Sequence, residues 1–201
     1  MSTLTTPIEL PEGLMRAVHS AYAQPPRAYH SFAHVQAVLR HVADVTAGPG
    51  WKQPREVFLA ALFHDAVYFA GAKDNEAKSA ALARQAIETF LPRAGVDAAR
   101  VEQLILLTAK HGQLAPRDVD ADEALFLDCD MAILGAEPAA FDAYERAIAE
   151  EYAHLPGPLF TLGRRRFLSG LLKRDRIFLS DLFHARLDAA ARANLARALG
   201  R

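Results

Sequence analysis

Apolar residues return every three or four positions along most of this chain, and runs alternating with a period of two are scarce. That spacing gathers apolar side chains into one stripe of a helix, so the pattern predicts an all-α protein. Helices are expected at about 12–24, 31–46, 54–70, 74–92, 96–112, 120–134, 137–153, 160–173 and 175–199. Gly48-Pro49-Gly50 with Pro54 separates the second from the third, and Leu155-Pro156-Gly157-Pro158 the seventh from the eighth. Asp74 and Asp97 stand where helix N-caps belong. No composition shift marks a linker and no segment repeats, so the 201 residues are expected to form one compact helical domain.

Polar residues that break this pattern carry the chemistry. His64 and Asp65 sit side by side in the run FLAALFHDAVYF, where the period predicts a buried helix. Dry and unpaired, such groups would cost several kcal/mol, roughly, so they need a partner. A buried ion pair would meet the need, and so would a divalent cation, for which neutral imidazole and carboxylate are both good ligands. On a helix the two side chains point about 100° apart, yet both can reach an ion lying between them. In RAYHSFAHVQAVLRHV, His34 interrupts the apolar stripe at its edge, while His30 stands one turn earlier at the helix start. In ALFLDCDMAILG, Asp128 and Asp130 flank Cys129 within another apolar run, and the spacing is compatible with either as a ligand.

Composition narrows the classes. A formal net charge of -1 gives no global field toward nucleic acid or an anionic membrane. One cysteine excludes an intrachain disulfide framework and a multi-cysteine zinc module. The N-terminal MSTLTTPIELPEG has no basic region followed by an apolar one, and no stretch reaches the ~18–20 apolar residues of a membrane span. A cytoplasmic protein is expected. The basic run Arg164-Arg165-Arg166, with Lys173, Arg174 and Arg176, alternates with Leu162, Phe167, Leu168, Leu171, Leu172 and Ile177 at helical intervals. It reads as a solvated helix face, which makes nucleic acid an unexpected partner.

The order His34, His64-Asp65, then an aspartate near 130 resembles the HD-domain superfamily of metal-dependent phosphohydrolases. YHSFAHV, ALFHDAVY, DNEAKSA, LLTAKHG, FLDCDMAILG and GRRRFLSGLLKRDRIF together look like its branch with YH-x-x-x-H and D-x-D-L-x-I-L-G signatures, from about Arg27 to Asn194. Met131 stands where that branch has leucine. The resemblance implies an HD-type helical bundle, with a metal-binding core at about 27–135 and additional C-terminal helices at about 137–199. It implies His34, His64, Asp65 and Asp130 as the metal shell and Asp128 as a supporting partner or alternate. It also implies hydrolysis of a phosphate ester of a small metabolite, a nucleotide foremost. The alternatives are a non-catalytic regulatory module that binds a nucleotide or a metal and, behind it, an HD-fold iron oxygenase.

Such hydrolysis needs an activated water, neutralised phosphoryl oxygens and a proton for the leaving oxygen. Asp65 could orient the water as well as bind metal. Glu76 is the candidate general acid or base, although it also suits the first turn of a helix. His30, Asn75, Lys110 and His111 are candidates for contacting substrate or supporting the ligands, while Lys73 and Lys78 could contact phosphate. Mixed imidazole and carboxylate ligands accept manganese, iron, cobalt, nickel, zinc or magnesium, so the ligand set does not select one divalent ion.

Overall fold

The computed structural model describes residues 6–24 and 27–200. These form nine α-helices and two 3-10 turns with no strand among the described residues, so the protein is all-α as the apolar period requires. None of the helices is long and apolar enough to cross a membrane. The chain divides into two compact units, one ending at Ala109 and one beginning at Lys110.

The first unit holds α1 (Glu12–Tyr22), α2 (Phe32–Ala47), α3 (Pro54–Phe63), α4 (Asn75–Phe90) and α5 (Ala98–Thr108). Every residue of α3 from Glu56 to Phe63 is buried, because α2, α4 and α5 all pack against it. Its core neighbours include Val35, Val38 and Leu39 of α2, and Val101, Leu104 and Ile105 of α5. A helix enclosed on all sides needs no polar face, which accounts for the unbroken run FLAALF. Pro54 starts α3 at a position that has no need of its missing N–H. Asp97 caps α5 by accepting from the Arg100 backbone N–H at 3.1 Å.

The second unit holds α6 (Ala121–Met131), α7 (Pro138–Glu151), α8 (Gly157–Leu172) and α9 (Asp181–Leu199). A 3-10 turn, Ala132–Gly135, follows α6 and packs against both α7 and α9. At Gly135 an added Cβ would lie 2.6 Å from Leu187 Cβ and 2.9 Å from Leu187 O. Only glycine lets α9 come this near, a tertiary reason for the last letter of FLDCDMAILG. Asp120 and Glu123 form a reciprocal capping box at the start of α6.

Four local expectations are corrected. The third helix stops at Phe63 instead of continuing to 70, and its last amide bond, from the His64 N–H to Ala60 O, is followed by a tighter one from Ala66 to Phe63. The fifth helix ends at Thr108 and not 112; Gly112 lies beyond it in a turn at φ +71°. Residues 175–180 are not helical, because side chains capture their backbone: Asp188 accepts from the Ile177 N–H, and Asp128 from those of Leu179 and Ser180. Asp74 precedes α4 but does not cap it, since its carboxylate pairs with Lys78 Nζ at 2.8 Å.

Candidate metal centre

The early end of α3 decides the site's geometry. His64 closes the helix, and Asp65 lies on the turn just beyond it. His64 keeps helical φ/ψ of -55° and -37°, and its side chain and that of Asp65 both reach His34, near the start of α2. His34 Nε2 lies 3.0 Å from His64 Nε2, and Asp65 Oδ2 lies 3.4 Å from His34 Nε2 and 3.1 Å from His64 Nε2. His34 and His64 are buried, and the Asp65 side chain retains 17% of its exposure.

Proton placement shows what this corner needs. His64 Nδ1 lies 2.9 Å from the Ala61 carbonyl, which can only accept, so that nitrogen carries the hydrogen. In the neutral ring Nε2 is then a lone pair, facing a second imidazole nitrogen and a carboxylate oxygen. A hydrogen on His34 Nε2 would satisfy these atoms, and so would a cation held between them. A histidine tethered through its other nitrogen to a backbone carbonyl is also how proteins orient metal-binding imidazoles. The donor set thus fits a divalent ion. Burial pushes the Asp65 carboxyl up, but the charges of His64 and His30 and hydrogen bonds from His34 and His64 prevail and hold it well below the usual carboxylate range.

Two residues that sequence reasoning missed hold this corner. Arg27 donates to the carbonyls of His30, Asp65 and Ala66 at 2.9, 2.7 and 2.8 Å. The Tyr22 hydroxyl accepts from the Asp65 N–H at 3.3 Å. No acidic residue lies between Glu12 and Asp44, so Arg27 has no local carboxylate and its fork takes carbonyls instead. That acid-free stretch was the available signal.

Other candidates in the first unit fall into place around it. His30 stacks on Tyr68 with ring centroids 3.9 Å apart, and its ring meets that of His34 at 5.9 Å. Asn75 is buried and serves the backbone: its amide accepts from the Phe69 N–H and donates to the Phe69 carbonyl, both at 3.0 Å. Ser79 brackets Val67 in the same way. The turn that follows Asp65 is therefore pinned to α4. Glu76 stands half-buried in the first turn of α4, while Lys73 and Lys78 are exposed.

In the second unit the two aspartates separate clearly. Asp130 Oδ2 lies 2.7 Å from His111 Nε2, joining another carboxylate to another imidazole. Asp128 turns elsewhere, accepting from the Leu179 N–H, the Ser180 N–H and the Ser180 hydroxyl at 2.8, 2.7 and 2.6 Å. Burial pushes its carboxyl up to about 6 against the pull of those bonds. Lys110 and His111 open a small cleft floored by Asp128 and Ile177. Arg174 anchors the loop there by donating to the carbonyls of Gly112 and Leu114. Within the rest of the basic run Arg164 pairs with Glu145, Arg165 donates to the Leu199 carbonyl and Arg176 pairs with Asp181.

Fold and site together define an all-helical protein with a histidine–aspartate corner suited to a cation. No protein-family model matches the chain, and neither a curated protein nor a solved structure matches it significantly.

Proposed function

We propose that this protein is a metal-dependent phosphohydrolase that cleaves a phosphate ester of a small metabolite, a nucleotide foremost. The observation that carries the reading is the meeting of His34, His64 and Asp65, whose ligand atoms lie within 3.4 Å of one another and make a donor set suited to a divalent ion. The resemblance to HD-domain phosphohydrolases adds Asp130 to that ligand set and supplies the reaction class.

A divalent ion at this site would polarise a phosphoryl oxygen and activate the attacking water. The chain's own part is to hold the ligands and move protons. Arg27 and Tyr22 fix the backbone of Asp65, and Ala61 fixes the His64 ring, so the ligands are oriented before substrate arrives. Water attacks phosphorus, the ester P–O bond breaks, and the leaving oxygen takes a proton. Glu76 is assigned as the proton carrier and Lys110 as a contact for phosphoryl oxygens.

The test is phosphate release from a panel of nucleotides and sugar phosphates, using metal-stripped protein with single divalent ions restored. Release that depends on an ion and disappears in Asp65→Ala is expected. Metal content measured on the same samples separates the parts of the reading. Bound metal without release of phosphate would favour a binding module, and absence of bound metal with every ion would overturn the metal centre. Glu76→Gln is expected to keep its metal and to slow turnover by about 100-fold or more.

A further inference from the structure

Tyr68 is held in place from both sides. The residue before it, Val67, gives its N–H to Ser79 Oγ and accepts the Ser79 hydroxyl on its carbonyl, at 3.0 and 3.2 Å. The residue after it, Phe69, exchanges the same two bonds with Asn75, both at 3.0 Å. Ser79 and Asn75 are buried side chains of α4, and these bonds offset the cost of burying them. Yet Tyr68 itself stays out of the core. Its half-buried ring stacks on the half-buried ring of His30, with centroids 3.9 Å apart and planes 24° from parallel. Two buried polar clamps thus fix a ring that the core does not enclose.

Its position gives that ring a use. The ring of His30 meets that of His34 at 5.9 Å, and the ring of Tyr29 meets it at 4.7 Å. His34 and His64 are buried, whereas Tyr29, His30 and Tyr68 all keep part of their surface in water. Rings with exposed surface therefore begin one contact away from a buried ligand, and Tyr68 is the second contact. A ligand that places phosphate at the corner and extends past His30 meets aromatic surface there. In a nucleotide, one ribose separates the phosphorus from a flat base.

We propose that Tyr68, backed by His30, is the platform on which the base of a nucleotide stacks when its phosphate lies at the corner of His34, His64 and Asp65. This rests on the reading of that corner as a phosphate-ester site. Every nucleobase has a π face, and one aromatic side chain beneath it changes affinity by roughly 5- to 150-fold. A ring already clamped through both its neighbours loses little freedom when the base arrives, which favours binding. A sugar phosphate without a base has nothing to place there. Tyr68 therefore selects nucleotides over sugar phosphates at the same metal centre.

Calorimetric titration with two phosphonates, those of adenosine and of ribose, tests the assignment with each divalent ion restored in turn. Carbon replaces the ester oxygen in both compounds, so neither is hydrolysed and binding is read apart from turnover. The adenosine compound is expected to bind roughly tenfold more tightly or better. Tyr68→Leu keeps apolar bulk without a π face. It should remove that advantage while leaving the ribose compound's affinity and the metal content unchanged, and Tyr68→Trp should retain the advantage. Equal affinity of the two compounds for the unmodified chain, binding of neither with any ion, or an advantage that survives Tyr68→Leu would overturn the proposal. A loss of both affinities together in Tyr68→Leu would overturn it too, because the ring would then only support the corner. The underlying reading fails separately. Base-dependent affinity that Tyr68→Leu removes, without ion-dependent phosphate release from adenosine 5'-monophosphate, upholds the platform and refutes hydrolysis.

Discussion

Asp65 and Asp128 both follow long apolar runs, and both are withdrawn from water, yet they have opposite surroundings. Asp65 faces two imidazole nitrogens, partners that can carry positive charge or share a cation with it. Asp128 is enclosed by two backbone N–H groups and a hydroxyl. Accordingly the Asp65 carboxyl is held well below its ordinary range, whereas burial pushes that of Asp128 up to about 6. Burial alone does not separate a binding carboxylate from a structural one. The charge that its neighbours can carry does.

The sharpest way to break this comparison is to remove each carboxylate in turn. Asp128→Ala strips three donors of their acceptor at the start of α9, and Ser180 is itself the cap of that helix. A loss of about 3 kcal/mol in urea unfolding is expected. Asp65→Ala should instead reduce metal affinity by about 100-fold or more, and abolish the rise in Tm that added metal gives. If the two effects exchanged places, the assignment of roles would fall.

Acid titration sharpens the contrast, because the linkages have opposite signs. Asp65 has a lowered folded pKa, so in metal-free protein its contribution is full above the ordinary value of 3.8 and is lost as pH falls through the folded value. Asp128 has a raised one, so the unfolded chain releases its proton first and stability declines as pH climbs from 3.8 to about 6. The decline should approach about 3 kcal/mol, and Asp128→Asn should flatten it. Urea midpoints taken between pH 4 and 7 give the slope directly.

Gly135→Ala probes the packing that brings α9 to the turn after α6. Its Cβ would meet the backbone of Leu187, and a loss of about 1–3 kcal/mol is expected from thermal or urea unfolding, without loss of metal binding. The smallest effects compare the two cap positions. Asp97→Ala should cost about 1 kcal/mol, since it removes a bond to the Arg100 N–H. Asp74→Ala should leave the unfolding midpoint unchanged, because an exposed pair with Lys78 is all it breaks. Equal effects at the two positions would mean that the capping geometry carries little.

Much of the fold was legible because helical periodicity is written locally. Seven of the expected helices begin within about two residues of those found, and Pro54, Asp97 and the glycine-proline joints act over a few residues. The misplaced ends have non-local causes. Residues 64–70 read as helix, yet Arg27, 38 positions from Asp65, and Asn75 of the next helix hold that backbone in another shape. Residues 175–180 read as helix, yet their N–H groups go to Asp128 and Asp188. Candidate site residues were legible as polar groups in apolar runs. What each would face was not.

From its sequence alone, then, this chain is all-helical, with His34, His64, Asp65, Asp128 and Asp130 at positions where polar side chains need partners. Those conclusions rest on periodicity and on the free energy of burying polar groups, both properties of short segments. Only the tertiary structure decided that His64 and Asp65 meet His34 at the end of α3, and that Asp128 fastens the start of α9 while Asp130 meets His111. The reason is geometric. A buried carboxylate takes its role from the groups that long-range folding brings within about 3 Å of it, and for Asp65 and Asp128 these include His34, Leu179 and Ser180, 31 to 52 positions away.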